Sequence, residues 1–375
     1  MSTPTRFPGG ISTFPIKNAM NTFPTVTSQY QVNKGDDMIP FRQSTDYTAT
    51  SSGTGATGAA FSWNAGVLKL TSGSTSLYKS FEALGANSMQ IIPGNQVWHD
   101  VRVACPTGSQ TNPSNDANIY TGFFDNVDPT AASNGIYFVK PSGGTTVNFV
   151  VLKAGTATTF QNIGDMANPS GLYGTAYATP GSLTPNATGT TLTALAIAAA
   201  GGGYRVAPLA IVNGTAGSGA QAYVQVNSLP DGRPGDGYNV GYNLVAPYVT
   251  AAGSGYTAGT FTVDLMPWNN LQFWYDGKGT LRVSINGIQV LSLGYQGLST
   301  ATPGSTYNVA TLGVNSFNFS GTTLTTGVAP VQPLPGDFYV AAPQVPTQLC
   351  FGIQGTTANN RVVYIEEINI GTELN

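Results

Sequence analysis

Hydrophobic positions in this chain recur at every second residue far more often than at every third or fourth. Leu281, Val283 and Ile285 alternate with Arg282 and Ser284, and Val97, His99, Val101 and Val103 alternate with Trp98, Asp100 and Arg102. A period of two marks a strand with one buried face. The clearest stretch, Leu271 to Leu291, predicts three strands. Asp276-Gly277 opens the first turn, and Asn286-Gly287 supplies the positive φ that a two-residue type I′ hairpin needs at both central positions. Phe273, Tyr275, Leu281, Val283, Ile285, Ile288 and Val290 are expected to line the packed faces. Gly135 to Lys140 and Thr146 to Leu152 predict a second pair around Gly143-Gly144, and Arg361 to Ile370 a last strand. No dozen residues carry apolar positions at i, i+3, i+4 and i+7 free of Gly, Pro or β-branched runs, so helices are not predicted. Short strands with Gly-rich turns predict an all-β fold, an antiparallel β-sandwich or jelly roll.

The texture changes twice along the chain. Residues 168–265 contain Ala198-Ala-Ala-Gly-Gly-Gly-Tyr204 and Ala251-Ala-Gly-Ser-Gly-Tyr256, preceded in matching positions by Leu195-Ala-Ile-Ala and Pro247-Tyr-Val-Thr. Gly235-Asp-Gly-Tyr238 reads as a degenerate third copy. Such similarity marks repeated supersecondary units, and two copies are too few for a solenoid. An inserted small β-rich domain is expected, excisable from the sandwich. Residues 1–45 space Phe7-Pro8, Phe14-Pro15 and Phe23-Pro24 along a polar segment, and proline holds its predecessor extended. They predict an extended N-terminal arm, with Phe7, Phe14 and Phe23 as assembly contacts. The alternative is an arm that wraps its own sandwich. The sandwich itself then comprises 46–167 and 266–375.

Composition narrows the chemistry. The 375 residues include 14 Lys and Arg, 17 Asp and Glu and one His, so 8% are charged, against about a quarter in ordinary soluble domains. No charge occurs from Met166 to Tyr204, and Asp337 stands alone between Arg282 and Arg361. Acid–base catalysis, metal capture and phosphate recognition all draw on those scarce side chains. No enzyme activity, catalytic residue, metal or cofactor is expected. Nucleic acid needs clustered Lys and Arg, which are missing, and no apolar run approaches the roughly 20 residues of a membrane span. The first residues lack the apolar core of a secretory signal, which predicts a cytosolic origin. Cys105 and Cys350 are then two buried thiols.

The remaining candidates are few. Asp116, Asp125 and Asp128 flank a strand, as calcium-holding loop carboxylates do, but Asp is also an ordinary turn residue. Glu366-Glu367 suggests a glycosidase pair, yet neighbours on a strand point to opposite faces, so the two are not expected to share a site. His99 falls on the apolar face of its strand and predicts a hydrogen-bonded, partly buried imidazole. Tyr204, Tyr238, Tyr242, Tyr248 and Tyr256 would suit sugar stacking if exposed; the alternative is ordinary half-buried packing.

The order of elements resembles tailed-bacteriophage virion structural proteins built on a laminin-G/concanavalin-like jelly roll. The resemblance rests on the Phe/Pro-rich opening into Tyr30-Gln-Val, then Val97-Trp-His-Asp-Val-Arg-Val, Asn118-Ile-Tyr-Thr-Gly-Phe-Phe-Asp and Asn134-Gly-Ile-Tyr-Phe-Val-Lys. It continues through the Tyr275-Asp-Gly-Lys-Gly turn with its Asn286-Gly hairpin to Val363-Tyr-Ile-Glu-Glu-Ile. It implies a capsid decoration protein or head appendage on the virion surface, assembled in the host bacterial cytoplasm. Its implied partners are the major capsid protein, other virion proteins and copies of itself. A fibre adhesin binding host glycans is the alternative, and a polysaccharide-active enzyme the third.

Overall fold

The computed structural model describes residues 31–36, 47–52, 56–60, 67–74, 79–105, 116–173, 180–188, 190–204, 206–213, 217–227, 243–257, 261–294, 306–308, 338, 342–357 and 361–373. Phe7, Phe14 and Phe23 lie outside these residues, as do Tyr238 and Tyr242. Two eight-stranded sheets face each other. The first runs β19 (Ile288–Gly294), β18 (Thr280–Ile285), β17 (Asn269–Tyr275), β6 (Val97–Ala104), β22 (Val362–Glu373), β4 (Leu68–Ser72) and β3 (Ala56–Ala60). Its eighth strand, β1 (Gln31–Asp36), pairs with the far end of β22. The second runs β2 (Tyr47–Ser52), β5 (Lys79–Met89), β21 (Thr347–Gly355), β7 (Ala117–Phe124), β8 (Gly135–Lys140), β9 (Thr146–Lys153) and β10 (Thr156–Asp165). A short parallel strand, β20 (Thr306–Asn308), closes that order. The protein is an all-β, antiparallel two-sheet sandwich. Part of the expected arm is thus a sheet strand, because Gln31–Asp36 forms a backbone ladder with Ile368–Glu373.

Alternation explains what lies between the sheets. From β6 and β17, Val97, Val101, Val103, Leu271, Phe273 and Tyr275 point inward, meeting Phe123, Phe138, Phe149 and Phe351 of the second sheet. Phe273 is the hub. It stacks on His99 at 4.8 Å with nearly parallel rings, and meets Phe123 and Phe149 edge-on at 5.3 and 5.7 Å. Offset and edge-to-face pairs of this kind add to plain area burial. The predicted hairpin is present, with Asn286 and Gly287 both at positive φ. Six of the seven predicted core residues are buried; Ile288, beside the turn, is half-buried and packs against the cluster.

The insertion contains β11 (Ser182–Thr188), β12 (Thr191–Ala199), β13 (Leu209–Asn213), β14 (Ser218–Val226), β15 (Leu244–Ser254) and β16 (Thr262–Met266). β11 bonds to β12, β14 to β15 and β13 to β16. These pairs lie side by side, β12 along β15, β13 along β14 and β11 along β16, which closes a six-stranded ring. Exchanging β11–β13 for β14–β16 leaves the order of the ring unchanged. The two sequence repeats are therefore the two halves of a pseudo-twofold module. Each half turns on glycines three residues and one residue before its tyrosine: Gly201 and Gly203 in one, Gly253 and Gly255 in the other, all at positive φ. Left-handed backbone of this kind costs glycine nothing and other residues about 1–2 kcal/mol. A Cβ at Gly253 would also lie 2.4 Å from the Ala220 nitrogen.

The module rests on the outer face of the first sheet. Leu209, Met266 and Trp268 meet Val67, Ala104, Val362 and Tyr364 in an apolar seam. Asn168 to Leu172, which the texture of the sequence groups with the insertion, packs with the sandwich instead. Leu172 enters the main core, and Asn286 Nδ2 donates to the Ser170 carbonyl at 2.7 Å. Excising residues 180–265 behind a Gly-Ser joint is expected to leave a cooperatively melting sandwich, but not a neutral one. The exposed seam should lower Tm and recruit an apolar dye such as ANS. Loss of cooperative melting would show that the ring is integral to the core.

Candidate functional site

The same alternation that buries His99 sends its neighbours Trp98, Asp100 and Arg102 to the outer face of the first sheet. Cross-strand register lines them up with β17, where Asn270 faces Arg102, Gln272 faces Asp100 and Trp274 faces Trp98. On the other side β22 brings Glu367 opposite Arg102 and Asn369 opposite Asp100. A polar row therefore runs across three strands. Gln272 Nε2 donates to Asp100 Oδ2 at 2.9 Å, Arg102 Nε to Asn270 Oδ1 at 2.9 Å, and Arg102 Nη1 to Glu366 Oε2 at 2.8 Å.

Here the strand rule applied to the sequence fails. Arg102 Nη2 also lies 3.4 Å from Glu367 Oε2, so adjacent glutamates meet one guanidinium. The reason is a β-bulge, where the register of β22 against β6 slips between Ile365 and Glu367. An extra residue in one strand re-aims the side chains that follow it. The two carboxylates share a site after all.

Electrostatics follow from burial. Asp100 is almost wholly buried. Desolvation lifts its carboxyl to about 7, partly opposed by the Gln272 hydrogen bond and reinforced by the charge of Glu367. Burial disfavours the charge on Arg102, but the Glu366 hydrogen bond and the charges of Glu366, Glu367 and Asp100 outweigh it, holding the guanidinium pKa above its usual value. The pair Arg102–Glu366 forms one wall of a cleft of about 460 Å³ between sandwich and ring. Trp268, Leu209, Tyr223 and Thr250 line the other sides. Tyr223 and Tyr248, 47% and 46% exposed, face each other across the β14–β15 hairpin with ring centroids 6.2 Å apart.

The other candidates are spent on structure. Tyr204 and Tyr256 are 1% and 3% exposed. Their hydroxyls accept from the Gly181 and Ala220 backbone N–H groups at 2.8 and 3.1 Å. They plug the ring and offer no face to a sugar, because the double-glycine turns fold each ring inward. Of the five tyrosines singled out, Tyr248 is the one shown on the surface. His99 is fully buried with Nε2 3.0 Å from Thr121 Oγ1. Desolvation drives its pKa down to about 3.

Asp116, Asp125 and Asp128 do not converge. Asp116 pairs with Arg361, Asp125 accepts from the Ser133 amide and Asn134 Nδ2, and Asp128 pairs with Lys79 while accepting from the Thr130 amide. Among the described residues no three His, Cys, Asp or Glu side chains are grouped as metal ligands would be. Cys105 and Cys350 are buried free thiols, and burial pushes Cys105 up to about 11.

Sequence reasoning missed Arg102, Trp268 and Tyr223. The alternation in Val97-Trp-His-Asp-Val-Arg contained the signal for Arg102. Nothing local marks the bulge, and Tyr223 lies outside the glycine repeats that drew attention to the other tyrosines.

No family model matches the chain, and no curated protein matches it. Among solved structures it is similar to a protein of unknown function from Shewanella oneidensis MR-1, at 10% identity over 93% of this chain and 91% of that one, TM-score 0.37. It is also similar to an endo-1,3-beta-glucanase from Streptomyces sioyaensis, at 7% identity over 93% and 99%, TM-score 0.38. A third is the Emp47p carbohydrate recognition domain, at 8% identity over 92% and 95%, TM-score 0.34. Likenesses at this depth carry nothing about activity.

Proposed function

We propose that this chain is a non-enzymatic structural component of a bacteriophage virion, a capsid decoration or head-appendage protein bound to the major capsid shell. The observation that supports it best is where the scarce charges go. Arg361 holds Asp116, Lys79 holds Asp128, and Arg102 gathers Asn270, Glu366 and Glu367. Each of these ties one strand or loop to another across long sequence separations. The interior is packed with aromatic rings, and a second module stands outward on one sheet. A stiff core with an outward module suits a part that is placed on a surface and displays something there. The resemblance in element order points the same way.

Attachment belongs to the arm in this reading. Burying a large aromatic side chain contributes roughly 1.5–3 kcal/mol, so Phe7, Phe14 and Phe23 together can anchor one copy, and many copies on a symmetric shell add avidity. Purified chain is expected to co-sediment with capsids assembled without it. Replacing all three phenylalanines by alanine should weaken binding at least about a hundredfold, with Tm unchanged. Undiminished binding by that variant would remove the arm from this role. Failure of the natural chain to bind shells at all would overturn the capsid reading.

A further inference from the structure

We infer that the cleft between ring and sandwich is a binding site for a neutral hexose oligosaccharide, with Tyr223 as the stacking platform and Arg102–Glu366 as the hydroxyl-reading pair. This goes beyond the structural role and does not depend on it.

Four features select the ligand. About 460 Å³ is a volume in which one or two sugar rings fit, within the usual range of small-molecule sites, roughly 300–1,000 Å³. Arg102 presents N–H donors beside the carboxylate acceptor of Glu366, 2.8 Å apart. Adjacent hydroxyls on a sugar both donate and accept, so a donor and an acceptor fixed side by side match them, whereas a ligand of one polarity satisfies only half the pair. The charge balance then rejects anions. Among the described lining residues the charges of Arg102 and Glu366 cancel, which leaves no surplus cation to hold phosphates, uronates or acidic peptides. Finally, Tyr223 keeps nearly half its surface in water although it is a large ring. Tyr248 stacks beside it at 6.2 Å, and the C–H face of a pyranose in the cleft would cover the exposed part of the Tyr223 ring. Thr250, on the same hairpin, adds a hydroxyl to the lining.

Trp268 and Leu209 belong both to the seam and to the cleft. The site therefore exists only where ring and sandwich are joined, and the full chain is the right reagent. The test is calorimetric titration with neutral gluco-, galacto- and manno-oligosaccharides, and with oligouronates as the charged counterpart. At least one neutral series should saturate, with affinity insensitive to 0.5 M NaCl. Tyr223→Ala should weaken that binding about tenfold, the size of one lost aromatic contact. Tyr223 is exposed, so Tm should not move. Absence of saturation by every neutral series, preference for oligouronates, or unchanged affinity in Tyr223→Ala would each overturn the assignment.

Discussion

Ile285→Asp is expected to abolish the folded state. Ile285 closes β18 and is fully buried in the main core. Its side chain occupies space that two glycines leave open. A Cβ on Gly164 would lie 2.2 Å from Ile285 Cδ1, and one on Gly171 2.8 Å from Cγ2. Around that side chain lie the Gly171 carbonyl and the side-chain amides of Asn269 and Asn286, none of them a cation that could pair with a carboxylate. An uncompensated buried charge costs several kcal/mol at least, comparable with the roughly 5–15 kcal/mol that holds a whole domain together. Ile285→Val, which removes only one methyl group, should cost about 0.5–1.5 kcal/mol and still melt cooperatively. Circular dichroism melts of the two variants check this. A soluble Ile285→Asp protein melting near the natural temperature would mean that β18 is packed in another register.

The second large effect is one that the natural protein conceals. His99 and Asp100 are neighbours on β6, buried on opposite faces, and burial perturbs them in opposite senses. The folded His99 titrates at about 3 instead of 6.5, so between those values the unfolded chain holds a proton that the fold refuses. That contribution makes stability rise with pH, and it is lost as pH falls from 6.5 toward 3. The folded Asp100 titrates at about 7 instead of 3.8, so over that window the fold holds a proton that the unfolded chain has released. That contribution makes stability fall as pH rises from 3.8 to 7. Each slope is about 1.4 kcal/mol per pH unit, and between 3.8 and 6.5 they cancel. Glu367 and Arg102 are the charged groups facing Asp100, and both act in the natural chain and in the variants alike.

Removing one partner should expose the other. His99→Gln, which can keep a hydrogen bond to Thr121, should lose about 3–4 kcal/mol of stability between pH 4 and pH 6.5. Asp100→Asn should gain a similar amount over the same range. Urea unfolding at half-unit pH steps measures both slopes. Parallel profiles for the two variants would contradict the burial of one group or both.

How far the chain could be read in advance depended on distance along the sequence. The strand faces were legible because alternation is local: Leu281, Val283 and Ile285 are inward as their spacing requires, and the Asn286-Gly287 turn has the backbone its residues favour. The glycine repeats revealed that the insertion is built twice. They did not reveal that Tyr204 and Tyr256 turn inward, since burial there depends on which strands close the ring. Site residues were harder still. Arg102, Glu366, Trp268 and Tyr223 come from four strands or connections up to 264 positions apart. The bulge that unites Glu366 with Glu367 arises from pairing with β6, so no pattern within Val363-Tyr-Ile-Glu-Glu-Ile announces it.

The central claim is that this chain sits on a virion shell. A density map of the intact particle encoded with it tests that most directly. The expected result is a sandwich with its six-stranded ring at repeated positions on the outer capsid surface, the ring facing solvent and the N-terminal arm lying on the capsid. A shell without such density, or the chain found only at the tail tip, would contradict it.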